Sequence, residues 1–192
     1  MGRLSGDMSK KSDQRRASSS RGGWVEFLEK NRYSSDKING FYESDILEKW
    51  ITEGHEPDFS TLADILKVTR PVRGFKGLMI KSHAFVNAGS NTKQEIAYTL
   101  NKLTDSIDKL SEKGLKTSEV INEAMLHMSI TGDYFFEIAK LRALKILLKS
   151  ISGLYSSQAS EIKVMSSNSL WSKSLYDPHV NMLRNTTEAM SA

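Results

Sequence analysis

The chain has 192 residues, a net charge of +4 and no cysteine. A chain of this length can bury one hydrophobic core. Without cysteine it cannot form disulfides, thiolate metal sites or iron–sulfur clusters, which fits a reducing, cytoplasmic compartment. No run of about 18 or more apolar residues occurs, so no membrane-spanning segment is predicted.

The positive charge is concentrated at the N-terminus. The chain has 27 basic residues (Lys and Arg) and 23 acidic residues (Asp and Glu). Residues 1–23 contain six basic and two acidic residues, so the rest of the chain has 21 basic and 21 acidic residues. A basic, Ser- and Gly-rich segment has little to bury and is typical of disorder. We therefore expect a disordered basic tail over 1–23 and one folded domain over 24–192. Because the folded part is neutral, the pI alone gives no support to nucleic-acid binding.

The first elements of the folded region are predicted to be helical. A short helical turn covers residues 24–30. A helix capped by Ser44 ends at Gly54, and Ser60 caps the next helix. Residues 77–86 are then predicted to be a strand, because their first half is apolar on both faces, as buried parallel strands require.

Two further helices follow that strand. Thr92 and Glu95 have the spacing of a capping box and open a long helix with one apolar stripe. Thr117 or Ser118 caps the second of these helices, which is expected to reach Met125.

The last third of the chain continues the alternation of strands and helices. Residues 126–131 form a short β-like stretch, and Asp133 caps the most apolar helix of the chain, which is expected to be mostly buried. Residues 161–168 alternate and indicate another strand. Asp177 followed by Pro178 is a strong helix start, because Asp accepts hydrogen bonds from free N–H groups and Pro lacks one.

Strands that alternate with helices indicate an α/β fold with a parallel sheet. About three strands are predicted, with those at 77–86 and 161–168 expected side by side. A closed eight-stranded barrel needs about 250 residues. The chain is therefore either a small open α/β unit or a fragment of a larger barrel.

Three segments resemble one protein family. Residues 177–192 (DPHVNMLRNTTEAMSA) are similar to DPYVNMLRTTTEAMSA of methylmalonyl-CoA mutase small subunits. Residues 134–143 (YFFEIAKLRA) and the run from 85 to 98, which contains NAGSN and QEIAY, resemble two other motifs of these subunits. The three motifs are colinear, and the resemblance extends over about 24–192.

The resemblance implies an internal piece of a TIM-type (β/α)8 barrel, with about three parallel strands and flanking helices. The family interconverts (R)-methylmalonyl-CoA and succinyl-CoA, and adenosylcobalamin supplies the radical. A small subunit would form a heterodimer with a catalytic large subunit, which would bind the cofactor and the acyl-CoA. This chain itself is then expected to be non-catalytic and structural, and to bind no cofactor, metal, nucleic acid or membrane.

The resemblance also suggests where a former substrate site would lie. Catalytic chains carry HCQTSGWS where this chain has MSSNSLWS, so their substrate-contacting Gln falls on Ser167. They carry EAGA where this chain has NAGS, so Asn87 replaces a carboxylate. We expect Ser167, Trp171, Asn87 and His83 to be vestigial substrate-site positions, because they lie near strand C-termini, where barrel enzymes build their sites.

Two alternatives remain open at this stage. The chain could be a fragment of a catalytically active acyl-CoA mutase, or a non-enzymatic module that uses its basic tail to bind an anionic partner. Motifs of phosphate-binding loops, dinucleotide sites, serine hydrolases and H-E-x-x-H zinc sites do not occur.

Overall fold

The computed structural model describes residues 30, 38–43, 45–72, 74–155 and 161–192. The predicted basic tail, the cap at Ser44 and the helical turn at 24–30, apart from Lys30, lie outside these residues. The elements in chain order are β1 (Asn39–Phe41), α1 (Ile46–Glu53), α2 (Phe59–Thr69), β2 (Gly74–Lys76), β3 (Leu78–Lys81), α3 (His83–Asn87), α4 (Thr92–Glu112), α5 (Thr117–Glu123), β4 (Ala124–Ile130), α6 (Tyr134–Tyr155), β5 (Lys163–Asn168) and α7 (Pro178–Ala189).

The strands form two parallel sheets. The larger sheet has the order β3-β4-β5, with Leu126 of β4 paired to Ile80 on one side and Val164 on the other. Strands β1 and β2 pair separately. The prediction of parallel strands with flanking helices is confirmed. The strands at 77–86 and 161–168 are not side by side, however, because β4 lies between them, and the small β1–β2 sheet was not predicted.

The hydrophobic core lies between one face of the larger sheet and the helices. Alternate strand residues such as Ile80, Leu126 and Met128 pack against apolar positions of α2, α4, α5 and α6. Leu103 and Leu144 are fully buried in this layer. Each such side chain contributes about 1.5–3 kcal/mol through removal of apolar surface from water.

Acidic side chains cap α1 and α7. The Asp45 carboxylate accepts hydrogen bonds from the backbone N–H groups of Leu47 and Glu48, and α1 ends at Gly54 in the left-handed conformation (φ 71°). Asp177 caps α7 in the same way, with Pro178 at the first helical position. The predicted stop at Gly54 and the start at Asp177-Pro178 are therefore confirmed.

The N-cap of α5 is Lys116, whose side chain makes no capping hydrogen bond, rather than Thr117 or Ser118. Two other predicted caps are also displaced towards the N-terminus. Helix α2 is capped by Asp58 rather than Ser60. The capping box of α4 is formed by Asn91 and Gln94 rather than by Thr92 and Glu95. Both errors have the same cause, since several polar residues with capping side chains precede each helix and the packing selects one of them.

The boundaries of two other elements also differ from prediction. Strand β3 ends at Lys81, and the chain turns into α3, because the Ser82 hydroxyl accepts a hydrogen bond from the backbone N–H of Ser129 (2.8 Å). The helix predicted to reach Met125 ends at Glu123, and Met125 belongs to β4.

Helix α6 is much more exposed than its composition predicts. Only Glu137, Lys140, Leu144 and Leu148 of this helix are buried, while Phe135 is 81% exposed. The prediction of a mostly buried helix is therefore wrong: the buried face is half ionic, and much of the apolar surface points outward.

Among the helices that the structure describes, none is both long enough and apolar enough to cross a lipid bilayer.

Candidate functional site

The carboxyl ends of β3, β4 and β5 meet at one edge of the parallel sheet, which we call the carboxyl edge. The strands end at Lys81, Ile130 and Asn168. The connections that follow them are α3, the loop at 131–133 and the loop at 169–177. Ligand sites of parallel α/β folds are built on such connections. The carboxyl edge is therefore the candidate functional site.

Two imidazoles and one hydroxyl form a hydrogen-bonded group at this edge. Nε2 of His83 and Nε2 of His127 each lie 2.8 Å from Oγ of Ser167. The ring centroids of the two histidines are 4.4 Å apart, in an edge-to-face arrangement. The hydroxyl can donate to one Nε2 and accept from the other, so the two rings must hold opposite tautomers.

Burial keeps both histidines neutral. It lowers the pKa of His83 to about 4, and the charge that His127 carries once it is protonated, together with the charges of Lys81 and Lys140, acts in the same direction. Burial and Lys81 also lower the pKa of His127, against the opposing effect of Glu43. Neither ring is then a proton donor near neutral pH, and His83 is too weak a base for efficient proton abstraction.

Asn87 and Trp171 meet at the same edge through Ser169. The Ser169 hydroxyl donates to Oδ1 of Asn87 (3.4 Å) and accepts from the backbone N–H of Trp171 (2.9 Å). The indole lies over Gly89, whose φ of +89° favours glycine, and a Cβ there would lie 3.5 Å from the ring. All four predicted positions thus reach the carboxyl edge, in two separate pairs; their role as former substrate contacts stays a prediction.

A cavity of about 330 Å³ opens beside the indole of Trp171. Its wall combines Ser90 from the connection after β3, Thr131 and Asp133 from the connection after β4, and Glu137 from α6. The wall is therefore acidic and polar, and it contains no cation to attract the phosphates or the carboxylate of an acyl-CoA.

A buried ionic cluster lies beneath this cavity. Nζ of Lys140 contacts Oε2 of Glu95 (2.8 Å), the backbone carbonyl of Ser129 (2.6 Å) and the carboxylate of Glu137. The side chains of Lys140 and of the two glutamates are 0–2% exposed. Glu95 also accepts from the Ser82 hydroxyl at 2.6 Å. The cluster therefore joins α4 and α6 to the ends of β3 and β4.

Burial dominates the electrostatics of Glu95. It raises the pKa of this carboxyl above the ordinary 4.5, although the charge of Lys140 and the hydrogen bonds from Lys140 and Ser82 lower it. A single ammonium faces two carboxylates, so the fully ionised cluster has one uncompensated negative charge. Because Lys140 is inaccessible, it positions the edge and cannot contact a substrate.

Helix α7 holds the loop that carries Trp171. Glu188, which is 2% exposed, accepts from Lys173 and from the Ser172 hydroxyl. The Asn181 amide exchanges hydrogen bonds with the backbone of Ser174 (2.6 and 2.9 Å). These contacts fix the loop after β5 and, with it, the position of the indole.

Sequence reasoning missed His127 and the ionic cluster. His127 joins His83 and Ser167 only because the strand register puts their side chains together, and no local pattern reveals register. The spacing of Glu137 and Lys140, three residues apart on one helix face, was the available signal.

Within the described ranges, no three His, Asp or Glu side chains cluster as metal ligands would. Asp177 and His179 match the first part of a cobalamin-binding pattern, but Met182 stands where that pattern has glycine. The carboxylate of Asp177 accepts hydrogen bonds from the backbone N–H groups of His179 and Val180. It therefore acts as a helix cap.

Comparison with known proteins identifies relatives over most of the chain. The methylmalonyl-CoA mutase family model matches residues 19–192. The small subunit of methylmalonyl-CoA mutase from Porphyromonas gingivalis is 30% identical over 172 residues, which cover 86% of this chain and 28% of that protein. Methylmalonyl-CoA mutase from Rhizobium meliloti is 28% identical, over 85% of this chain and 24% of its own length.

A further relative is named for a different acyl group. It is the large subunit of 2-hydroxyisobutanoyl-CoA mutase from Aquincola tertiaricarbonis, which is 23% identical over 88% of this chain and 32% of its own length. The chain thus spans 24–32% of the length of these relatives. The family match covers far more than half of the chain, and the chain therefore belongs to the methylmalonyl-CoA mutase family.

Proposed function

We propose that this chain is a small-subunit-like component of an adenosylcobalamin-dependent methylmalonyl-CoA mutase, and that it supports a catalytic large subunit without catalysing the isomerisation itself. The observation that carries the proposal is the environment of Ser167. Its hydroxyl is already bound to both His83 and His127. Where the resemblance places a substrate-binding amide in catalytic chains, this chain has a short hydroxyl whose hydrogen bonds are used internally.

The arrangement of strands supports a slice of a larger barrel. Strands β3, β4 and β5 are parallel and adjacent in chain order, with helices packed on one face, as successive units of a (β/α)8 barrel are. Residues 24–192 would form this partial barrel domain, and residues 1–23 a tail outside it. In the described residues β5 pairs only with β4, so its other edge is open to a partner.

The groups at the carboxyl edge do not fit the family's cofactor. A histidine that ligates a metal usually donates its second ring nitrogen to a carboxylate or carbonyl. Here Nε2 of both His83 and His127 is directed at Ser167, and both Nδ1 atoms are buried without a hydrogen-bond partner in the described part of the chain. We therefore assign adenosylcobalamin, and contact with the acyl-CoA, to the large subunit.

Isomerisation assays test the proposal directly. The chain would be produced alone and together with the large mutase subunit of the same organism, and conversion of succinyl-CoA to methylmalonyl-CoA would be measured with adenosylcobalamin present. We expect no turnover by the chain alone, and stable co-purification with an active large subunit. Turnover by this chain alone would reject the proposal and would identify it as a piece of an active mutase.

A further inference from the structure

Helix α6 presents a stripe of apolar side chains to solvent, which Ser150 and Gly153 interrupt between Ile146 and Leu154. At 100° per residue, Phe135, Ala139, Ala143, Ile146 and Leu154 fall within about 100° of arc on one side of the helix. All five are exposed, Phe135 by 81%, Ile146 by 69% and Leu154 by 85%. We call these five residues the outer stripe of α6.

The centre of the outer stripe is about 130° around the helix axis from the centre of the face that the fold uses. Lys140, Leu144 and Leu148 anchor α6 to the core and to the ionic cluster, so the stripe cannot turn inward. From Phe135 to Leu154 it extends about 29 Å at 1.5 Å per residue. Exposed apolar side chains aligned over this length mark an interaction site, whereas isolated exposed apolar residues do not.

The charges beside the stripe define the chemistry of its partner. Arg142, Lys145 and Lys149 are exposed along one flank. Within the described ranges none of the three forms an ion pair, and the one acidic residue of α6, Glu137, is buried. A partner that covers the stripe would therefore match it best with Asp or Glu on the facing side.

The centre of the stripe favours a helix over a membrane or a second copy. Ala139 and Ala143 are small, so another helix can approach closely, at an axial distance of about 8–10 Å. The apolar face of a helix that binds a lipid surface is typically built from Trp, Phe and Leu, whereas the centre of this stripe is alanine. In an antiparallel pair of two α6 helices, related by a two-fold axis, the basic flanks would lie on the same side and repel each other.

We propose that the outer stripe of α6 docks an amphipathic helix that carries acidic residues along one flank and belongs to the large mutase subunit. This inference rests on the proposed function, which supplies the partner. Ala139 and Ala143 contact the centre of the docked helix, and Arg142, Lys145 and Lys149 pair with its carboxylates.

Substitution of Ala143 by tryptophan tests the docking geometry. Ala143 is exposed, so Ala143→Trp leaves the fold intact and blocks close approach at the centre of the stripe. We expect at least about tenfold weaker binding to the large subunit in calorimetry. The matched control is Ala97→Trp at an exposed alanine of α4, which leaves the affinity unchanged.

A charge reversal tests the basic flank. Lys145→Glu/Lys149→Glu should weaken binding to the large subunit and reduce its dependence on salt, because the favourable charge pairs are lost. Lys49→Glu, at an exposed lysine of α1, serves as the control and keeps the original affinity.

The outcomes separate the inference from the function on which it rests. An unaltered chain that fails to bind the large subunit rejects the proposed function, and the inference with it. Unchanged binding by Ala143→Trp rejects the docking site alone. If vesicles that contain phosphatidylserine bind Ala143→Trp more tightly than the unaltered chain, the stripe is a membrane-binding surface. If the unaltered chain forms a dimer and Ala143→Trp dissociates it, the stripe binds a second copy. Either result overturns the inference.

Discussion

Substitution of Lys140 by methionine should strongly destabilise the fold. The ammonium contacts Glu95 and Glu137, and the side chains of all three residues are at most 2% exposed. Methionine keeps most of the volume but leaves two carboxylates buried without a cation. Removing one partner of a buried ion pair costs about 3–5 kcal/mol, a large part of the roughly 5–15 kcal/mol that stabilises a typical domain.

The loss should also depend on pH. Burial already raises the pKa of Glu95 above 4.5, and the charge of Lys140 is the largest effect that opposes it. Without Lys140 this pKa rises further. An acid whose pKa is higher in the folded state takes up a proton on folding, so its penalty is complete above the folded pKa and decreases as the pH falls towards the unfolded value. The deficit of Lys140→Met should therefore shrink on acidification.

Urea unfolding followed by circular dichroism measures both effects. Lys145→Met, at an exposed lysine of the same helix, is the matched control and should change the free energy of unfolding by less than about 0.5 kcal/mol. Adding Glu95→Gln and Glu137→Gln to Lys140→Met should restore much of the stability, because neutral amides need no cation. A deficit below about 1 kcal/mol at neutral pH, or one that persists at acidic pH, would refute the assignment of a buried ionic cluster.

Two further predictions concern the carboxyl edge. His83 should titrate with a pKa of about 4 in nitrogen-resolved NMR, because burial and the positive charge on His127 disfavour its protonation; a midpoint above 6 would contradict the buried arrangement. Gly89→Ala should lower the free energy of unfolding by about 1–2 kcal/mol, since alanine is strained at φ +89°. It should also alter the fluorescence of Trp171. Gly132→Ala serves as the control, because a Cβ added at Gly132 has no neighbouring atom within 4 Å.

The order of strands and helices was predictable because it depends on local patterns. The apolar run at 78–80, the β-like stretch at 126–131 and the alternation at 161–168 all became strands of one parallel sheet. Asp177 with Pro178 marked a helix start, since both residues act on the first turn. These signals lie within a few residues of the feature that they specify.

The contacts of the carboxyl edge were not predictable from such signals. Ser167 lies 84 residues from His83 and 40 from His127, and only the register of three strands brings them together. The sequence suggested Ser167 through a family resemblance and His83 through its place near the end of a predicted strand, but it offered no reason to include His127. Register is a tertiary property, set by packing on both faces of the sheet.

Helix α6 shows why burial is hard to predict for a helix that is apolar on most sides. Ile146 and Leu147 are as hydrophobic as Leu144 and Leu148, so composition does not say which pair faces inward. The choice follows from Lys140, whose ammonium finds Glu95 on α4, 45 residues away. An ionic contact that is invisible in the local pattern thus orients this long, apolar helix.

That orientation links the stability of the domain to its proposed assembly. Because Lys140 is buried and fixes the rotation of α6, the ionic cluster holds Ala143, three residues further along, towards solvent. Lys140→Met should therefore weaken both folding and binding to the large subunit, whereas Ala143→Trp should weaken binding alone. A cluster variant that loses stability but binds the large subunit with unchanged affinity would separate the two, and would show that the direction of the stripe does not depend on Lys140.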